Sequence, residues 1–279
     1  MAAVYPPVPA GPGRYGKTVF PPGQAGEDER IDLGALAYDD VSLARMRELG
    51  AGPGWRCLDV GAGTGSVARR LLDELRVDGV LAVDRDVRFL AAHPRSGLEV
   101  LEADVCDPGF APGRFHLVHA RFVLMHLPAR RELMARLAGL LNPGGVLVLS
   151  DAADLTTDAV PASPYTVALQ AMWQGLRDTI GTDVSWVPRY PQLLRDLGLA
   201  STAAELYVPP LVPGSPISRF WAETWDRARE AMTATGLVDD ADVDAAIRYL
   251  GSPDCAAMSP GMITAWGSRP AAGEAVTSG

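Results

Sequence analysis

The chain has 279 residues, of which 48% are hydrophobic and 21% charged, and its formal net charge is −9. This composition supports a sizeable core in one domain with insertions, and the acidic balance argues against a nucleic-acid partner. No apolar run reaches the length of a membrane span. The Pro- and Gly-rich residues 1–23 lack the apolar core of a secretory signal, so we expect a cytoplasmic protein that binds no membrane.

The cysteines give no sign of a disulfide framework or a metal site. Cys57, Cys106 and Cys255 have no paired spacing, whereas zinc sites and disulfide scaffolds show regular Cys spacings. We therefore expect inert thiols and no bound metal.

The N-terminal region looks loose over residues 1–30, where Pro and Gly are frequent. Tyr15 and Phe20 are exceptions, because aromatic side chains in such a segment often dock onto a folded surface. A short amphipathic helix is predicted over residues 41–49, ended by Gly50. We interpret residues 1–50 as an N-terminal lid segment.

From residue 57 onward, short apolar strands alternate with helical patterns, which predicts βαβ units and a parallel sheet covered on both faces. The predicted strands cover residues 57–60, 80–83, 98–102, 115–120, 146–149, 203–208 and 262–266. The predicted helices cover residues 66–74, 87–92, 129–141, 164–179, 190–197, 217–232 and 240–250. The turn at residues 142–145 is expected to end the third of these helices.

A glycine turn joins the first strand to the first helix of this alternation. Gly61, Gly63 and Gly65 lie between the strand ending at Val60 and the helix beginning at Ser66. Strand, glycine turn and helix together bring a polar ligand against a helix N-terminus. The glycines let the backbone turn sharply and approach the ligand without a Cβ in the way.

Acidic residues stand at the ends of the first three strands. Asp84 lies about 20 residues past the glycine turn, where a carboxylate meets a ribose diol in this type of fold. Asp104 ends the third strand, where a carboxylate can accept a hydrogen bond from an adenine amine. The alternative for both is a structural turn or helix-cap residue.

A nicotinamide dinucleotide is the competing ligand for such a site. Ser66 stands where the dinucleotide motif has its third glycine, and the turn contains no Lys or Arg to pair with phosphate. Asp59, directly before the turn, suits a cationic ligand better than a pyrophosphate. These features favour S-adenosylmethionine, which carries a sulfonium and an ammonium but no phosphate.

The ordered set of motifs resembles the class I S-adenosylmethionine-dependent methyltransferases, and within them the small-molecule enzymes of actinobacterial secondary metabolism. The motifs that carry the resemblance lie at residues 58–65, 84, 103–105, 119–128 and 141–145, and more weakly at 259–267. The resemblance implies an α/β fold with a Rossmann-like, seven-stranded, mostly parallel sheet, helices on both faces and helical cap insertions.

The resemblance also implies a set of cofactor-binding residues. In this chain they are Asp59, Gly61, Ala62, Gly63, Gly65, Asp84, Arg85, Asp104, Val105, Ala120 and Arg121. Arg121 has two open interpretations: it pairs with a carboxylate of the cofactor or substrate, or it forms a salt bridge with a strand-end acid such as Asp151.

His126 is the best candidate for a general base, because it follows the fourth strand on the ligand side and imidazole titrates near neutrality. The alternative is that His126 packs the loop before the next helix. His119 lies inside a strand, and we interpret it as a satisfied core histidine.

The insertions supply the candidate substrate contacts, which are Tyr15, Tyr165, Trp173 and Trp221. We predict one domain over residues 1–279, with a cofactor-binding half at 51–151 and helical substrate caps at 152–189 and 212–258. Residues 190–211 and 259–269 complete the sheet, and 270–279 form a disordered tail.

The predicted function is methyl transfer from S-adenosylmethionine to a small-molecule metabolite, as a tailoring step in natural-product synthesis. A non-methylating member of the fold, which binds a ligand or uses the cofactor for other chemistry, is the alternative. A nicotinamide-dependent oxidoreductase is a further one. The N-terminal segment is also a candidate element of a homodimer.

Overall fold

The computed structural model describes residues 15–155, 157 and 160–271, so the loose segment expected before residue 15 and the tail expected after residue 271 lie outside it. The strands are β1 (Arg56–Val60), β2 (Gly79–Asp84), β3 (Leu98–Glu102), β4 (Phe115–Arg121), β5 (Leu141–Ala153), β6 (Ala200–Tyr207) and β7 (Gly261–Ser268). They form one sheet in the order β3-β2-β1-β4-β5-β7-β6, with β7 antiparallel to both of its neighbours. The predicted seven-stranded, mostly parallel sheet is therefore confirmed.

Helices pack on both faces of this sheet. They are α1 (Glu27–Glu48), α2 (Ser66–Glu74), α3 (Arg88–Ala91), α4 (Arg130–Gly139), α5 (Pro164–Ile180), α6 (Tyr190–Asp196), α7 (Pro216–Thr233) and α8 (Asp240–Leu250). One apolar cluster joins Cys57 of β1 to Leu71 of α2, and a second joins Leu58 of the same strand to Leu137 of α4. In the described part of the chain, no helix combines the length and apolar character needed to cross a membrane.

The first helix is much longer than the predicted one at residues 41–49. It begins at Glu27, and its first turn carries Glu27, Asp28 and Glu29, which are favourable there because carboxylates complement the positive end of the helix dipole. The buried face of its first half includes charged residues, notably Glu27 and Arg30. The apolar period that reveals a helix in sequence is therefore missing from that half.

The fifth strand also differs from its predicted range of 146–149. It spans Leu141–Ala153 and includes the turn that we expected to end the preceding helix. Its pairing with β4 shifts register between Phe115 and Leu117, so residues 142–145 form an irregularity within the strand. A side chain at Gly145 would place a Cβ 2.9 Å from the Phe115 carbonyl oxygen, so only glycine allows this close passage.

The order of strand addition reverses at β1: β2 and β3 lie on one side of it, and β4 and β5 lie on the other. In such sheets, ligands bind outside the carboxyl ends of the strands at this switch point. Asp59 of β1 and His119 of β4 are register partners, and successive side chains of a strand point to opposite faces. The two side chains therefore lie next to each other at the switch point.

The predicted caps contribute a helical layer beside the sheet. The helices α5, α7 and α8 pack against one another, and α7 also packs against α1. Gly175 of α5 lies so close to α7 that a Cβ would be 2.4 Å from the Ala231 carbonyl oxygen. The α5–α7 crossing thus depends on the absence of a side chain at residue 175.

We expect Gly175→Ala to lower the free energy of unfolding by about 1–3 kcal/mol, because the added methyl group overpacks a backbone contact. Gly139→Ala in α4 is the matched control: a Cβ there meets nothing within 4 Å, so helix propensity leaves stability unchanged or raises it by up to about 1 kcal/mol. Urea unfolding followed by circular dichroism measures both. Equal effects of the two substitutions would contradict the close crossing.

Candidate functional site

A cavity of about 710 Å³ lies at the carboxyl ends of the strands, within the size range of about 300–1,000 Å³ for small-molecule sites. Residues at the ends of β1 to β4 form one side, which we call the strand side. Residues of α5 and α7 form the other, the helix side. The first half of α1 and the preceding residues 15–26, which we call the strap, cover the space between them.

The glycine turn is held against the end of β2. The Gly61 and Ala62 amides donate to the Val83 carbonyl at 2.8 and 3.2 Å. Gly61 has a φ of +65°, and a Cβ there would be 2.4 Å from Val123 Cγ2. Only glycine fits this position, and the backbone of the turn forms part of the cavity wall.

Not every predicted glycine contact lies at this wall. Gly61, Ala62 and Gly63 line the cavity, but Gly65 does not. Gly65 precedes α2 with a φ of +81°, and a Cβ there would be 2.6 Å from Leu90 Cδ2. Its missing side chain makes room for α3.

Asp84 closes the glycine turn as well as lining the cavity. Its Oδ2 accepts from the Gly63 amide at 2.9 Å, and its Oδ1 accepts from the Asp86 amide at 3.3 Å. Burial raises the pKa of this carboxyl above its ordinary value. Arg85, the next residue, also lines the cavity and donates to the Tyr15 carbonyl of the strap.

The end of β3 brings Asp104 and Val105 to the same wall. The Asp104 Oδ1 accepts from the Cys106 amide at 2.8 Å, which forms an Asx turn. Asp104 is exposed at the rim, whereas Val105 is buried. A flat apolar group could lie against Val105 with its polar edge toward Asp104.

Asp59 and His119 form a buried pair at the switch point. His119 Nδ1 lies 2.7 Å from Asp59 Oδ1, and both residues line the cavity. The His119 Nε2 atom is buried and has no hydrogen-bond partner among the described residues. The interpretation of His119 as a satisfied core histidine was therefore wrong: the residue is buried, but half of its hydrogen-bonding capacity is unused.

Arg121 pairs with α1 rather than with Asp151. Its guanidinium donates to Asp39 at 2.6 Å and to Ser42 at 3.1 Å, and it lines the cavity. Asp151 instead accepts from the Tyr190 hydroxyl and the Met125 amide. Of the two open interpretations of Arg121, the salt bridge to Asp151 is thus wrong. Predicted contact Ala120 is 1% exposed and lies in the core, outside the cavity lining.

His126 lies in the 3-10 helix Leu124–His126 and lines the cavity. Its Nδ1 is 2.8 Å from the Thr182 hydroxyl, and its ring centroid is 4.6 Å from that of Tyr15. Burial, with the nearby charges of Arg130 and Arg30, lowers the pKa of His126 from 6.5 to about 3. The imidazole is therefore neutral at ordinary pH.

Aromatic rings form much of the helix side. The indole N–H of Trp173 donates to Asp154 at 3.2 Å, and that of Trp221 donates to Ser259 at 2.9 Å. With these polar groups satisfied, both residues offer mainly apolar surface to the cavity. Tyr165 lies elsewhere: it is buried, packs against Trp225 and donates to the Met258 carbonyl.

An ion pair at the start of α1 was missed by the sequence reasoning. Arg30 is 4% exposed, donates twice to Glu27 and lies over the Phe20 ring at 4.4 Å. Its Nη2 also donates to the Tyr15 hydroxyl at 3.3 Å. The charged run was interpreted as part of a loose segment. The acidic residues of the first turn, which favour a helix N-terminus, were the one sequence feature that could have located the start of α1.

Comparison with known proteins finds similarity over the region that contains the strand side of the cavity. The sequence profile of a methyltransferase domain matches residues 58–147, which include the glycine turn and the strand-end acids. The methyltransferase str3 of Strobilurus tenacellus is 35% identical over 130 residues, which are 45% of each protein. The chain thus matches less than half the length of that relative.

Solved structures share the fold at low sequence identity. Phosphoethanolamine N-methyltransferase 2 of Haemonchus contortus, solved with S-adenosylhomocysteine, gives a TM-score of 0.53 at 18% identity, over 83% of this chain and 52% of that one. The 4+2-cyclase SpnF gives a TM-score of 0.54 at 16% identity, over 84% and 81%. In its domain match over residues 58–147, in its relatives and in its fold, the chain is similar to methyltransferases.

Proposed function

We propose that this protein transfers a methyl group from S-adenosylmethionine to a small, largely apolar metabolite, as a tailoring step in natural-product synthesis. The observation that carries the proposal is that one cavity joins two kinds of wall. The strand side has a glycine turn and several carboxylates, among them those of Asp59, Asp84 and Asp104, and the helix side has aromatic rings. One side suits the cofactor and the other suits the acceptor.

The strand side fits S-adenosylmethionine in the chemistry of its hydrogen-bonding groups, which are carboxylates without a neighbouring phosphate-pairing residue in the turn. The turn over residues 61–66 has no basic side chain to pair with a phosphate. Asp84 accepts from the Gly63 and Asp86 amides and also interacts with the Arg85 amide. A carboxylate has about four lone-pair sites, which leaves capacity for a ribose hydroxyl. We propose that Asp104 and Val105 take adenine and that the backbone of Gly61 to Gly63 contacts the methionine part, since all of these residues line the cavity.

The bound cofactor supplies the methyl group on a sulfonium centre. The chain contributes alignment of the acceptor and exclusion of water, and alignment alone accounts for a large share of the rate in such displacements. His126 contributes a neutral ring whose second nitrogen accepts or donates a hydrogen bond, depending on whether Nδ1 donates to or accepts from the Thr182 hydroxyl. With a pKa of about 3, it removes a proton only weakly, since an effective base has a pKa near the working pH.

The helix side favours an acceptor with a large apolar surface. Of the predicted acceptor contacts, we retain Trp173, Trp221 and Tyr15. We add the buried Phe20 and Arg30, which also line the cavity. We further propose that residues 152–189 and 212–258 act as the acceptor cap. A homodimer through the N-terminal segment stays a prediction, and the strap contacts its own chain through Tyr15 and Arg85.

A second candidate is a non-methylating protein that binds the same cofactor. The observation that favours it is the neutral, buried His126, since the other histidine among the described lining residues, His119, is paired with Asp59. The cyclase SpnF has a similar fold, and one fold can host different reactions, so the fold alone does not establish methyl transfer.

Incubation with methyl-labelled S-adenosylmethionine and a panel of apolar phenols, acids and amines separates these functions. We expect label in at least one acceptor and formation of S-adenosylhomocysteine in equal amount. Tight binding of S-adenosylhomocysteine with no transfer to any acceptor supports the second candidate. Preference for NAD(H) over S-adenosylhomocysteine in calorimetry rejects both.

Asp84→Asn is expected to weaken S-adenosylhomocysteine binding by about 10- to 100-fold, because a hydrogen bond to a charged group contributes about 1.5–3 kcal/mol. The amide oxygen can still accept from Gly63, so the turn is preserved. Asp78→Asn is the matched control, since Asp78 precedes the same strand at its far end, where it accepts from Gly54. Isothermal titration calorimetry measures both, and similar losses would argue against a ribose contact at Asp84.

The pH dependence of kcat/KM tests the state of His126. Its folded-state pKa of about 3 lies below the ordinary value of 6.5, so the folded protein keeps the ring neutral while the pH falls well below 6.5. We expect no acidic limb from His126 above about pH 5, and parallel profiles for wild type and His126→Gln. An acidic limb near neutrality that disappears in the variant would instead identify His126 as a titrating base.

A further inference from the structure

We propose that His119 is a cofactor-binding residue whose Nε2 accepts a hydrogen bond from the α-ammonium group of S-adenosylmethionine, with Asp59 as the residue that sets its tautomer. The inference rests on the proposed cofactor and adds a contact that the sequence did not suggest.

The first step is the tautomer of His119. Its Nδ1 lies 2.7 Å from Asp59 Oδ1, and both side chains are buried. A carboxylate can only accept hydrogen bonds, so Nδ1 must carry the proton. In neutral imidazole the other nitrogen then has a free lone pair. The Asp59 contact therefore makes Nε2 an acceptor.

The second step is the missing partner of that acceptor. Nε2 is buried and has no partner among the described residues, and His119 lines the cavity. A buried polar atom without a partner carries a free-energy cost, because it has given up its hydrogen bond to water and gained none in return. A ligand that brings an N–H donor to this position would remove the cost.

The third step is the part of the cofactor that reaches this position. The sheet order is β3, β2, β1, β4. With the adenine site at the end of β3 and the ribose site at the end of β2, the opposite end of the ligand extends toward β1 and β4. That end of S-adenosylmethionine is its amino acid, whose ammonium group offers N–H donors.

The neighbouring charges agree with this orientation. Arg121 lies two residues beyond His119 on β4 and also lines the cavity, but its guanidinium is already paired with Asp39 and Ser42. The lone pair of Nε2 and the negative Asp59 both repel a carboxylate and attract an ammonium. The pair therefore recognises the ammonium half of a zwitterion, and it disfavours a pyrophosphate, which has no N–H donor.

The test compares two ligands that differ at the amino-acid end. S-adenosylhomocysteine has the amino acid, and 5′-methylthioadenosine lacks it. His119→Asn keeps a donor toward Asp59 but has no acceptor at the Nε2 position. We expect it to bind S-adenosylhomocysteine about 10-fold or more weakly and to bind 5′-methylthioadenosine like wild type, in isothermal titration calorimetry.

Two further variants interpret that result. His116→Asn is the matched control, because His116 lies at the other end of β4 and its Nδ1 accepts from the Arg56 amide; it should change neither affinity. His119→Gln places an amide oxygen near the Nε2 position and should recover part of the S-adenosylhomocysteine affinity. A merely structural role predicts equal losses for both ligands in both His119 variants.

Equal losses, or no loss, in His119→Asn would overturn the proposal while leaving the cofactor assignment intact. Failure of wild type to bind S-adenosylhomocysteine would instead reject the proposed function itself. If the variants do not fold, ¹⁵N-histidine spectra of wild type decide. S-adenosylhomocysteine should shift an unprotonated Nε2 resonance that 5′-methylthioadenosine leaves in place, and identical spectra with the two ligands would overturn the contact.

Discussion

Three backbone amides of the turn between β1 and α2 donate to the carboxyl end of β2. Two of them reach the Val83 carbonyl, and the third reaches the Asp84 carboxylate. A glycine-rich turn is conformationally free, and these bonds give it one shape. Asp84 thus holds the turn in shape and also lines the cavity. A substitution at Asp84 therefore changes the turn and the cavity wall together.

The cover of the cavity is attached to this frame by polar contacts. Arg121 of β4 pairs with Asp39 of α1, and the Thr64 hydroxyl donates to Asp32 on the same helix. Buried ion pairs add little net stability because their groups lose hydration. Their directional geometry nevertheless fixes where α1 lies, and hence where the strap and Arg30 meet the acceptor space.

Much of the fold was accessible from sequence because its signals are local. Short apolar strands that end in Asp84 and Asp104 predicted the sheet and the strand side of the cavity. The start of α1 was not predictable by apolar period, because Glu27 and Arg30 occupy its buried face.

Contacts between distant parts of the chain were equally hidden. Arg121 and Asp39 are 82 positions apart, and no spacing rule connects them. The free Nε2 of His119 follows from the register of β1 with β4, which places Asp59 on one side of the ring only. Which cap aromatics face the cavity depends on how α5 and α7 are rotated about their axes. With the rotation seen in the structure, Trp173 and Trp221 line the cavity and Tyr165 does not.

The attachment of the strap has a consequence for the exchange of ligands. Its ends are held by side-chain donors to backbone carbonyls, from Arg85 to Tyr15 and from Arg227 to Ala25. Such bonds contribute about 1 kcal/mol each, but the strap also buries Val19 and Phe20 in the core. A ligand that passes the strap must therefore break these polar bonds and expose that apolar surface, whereas the sheet need not open.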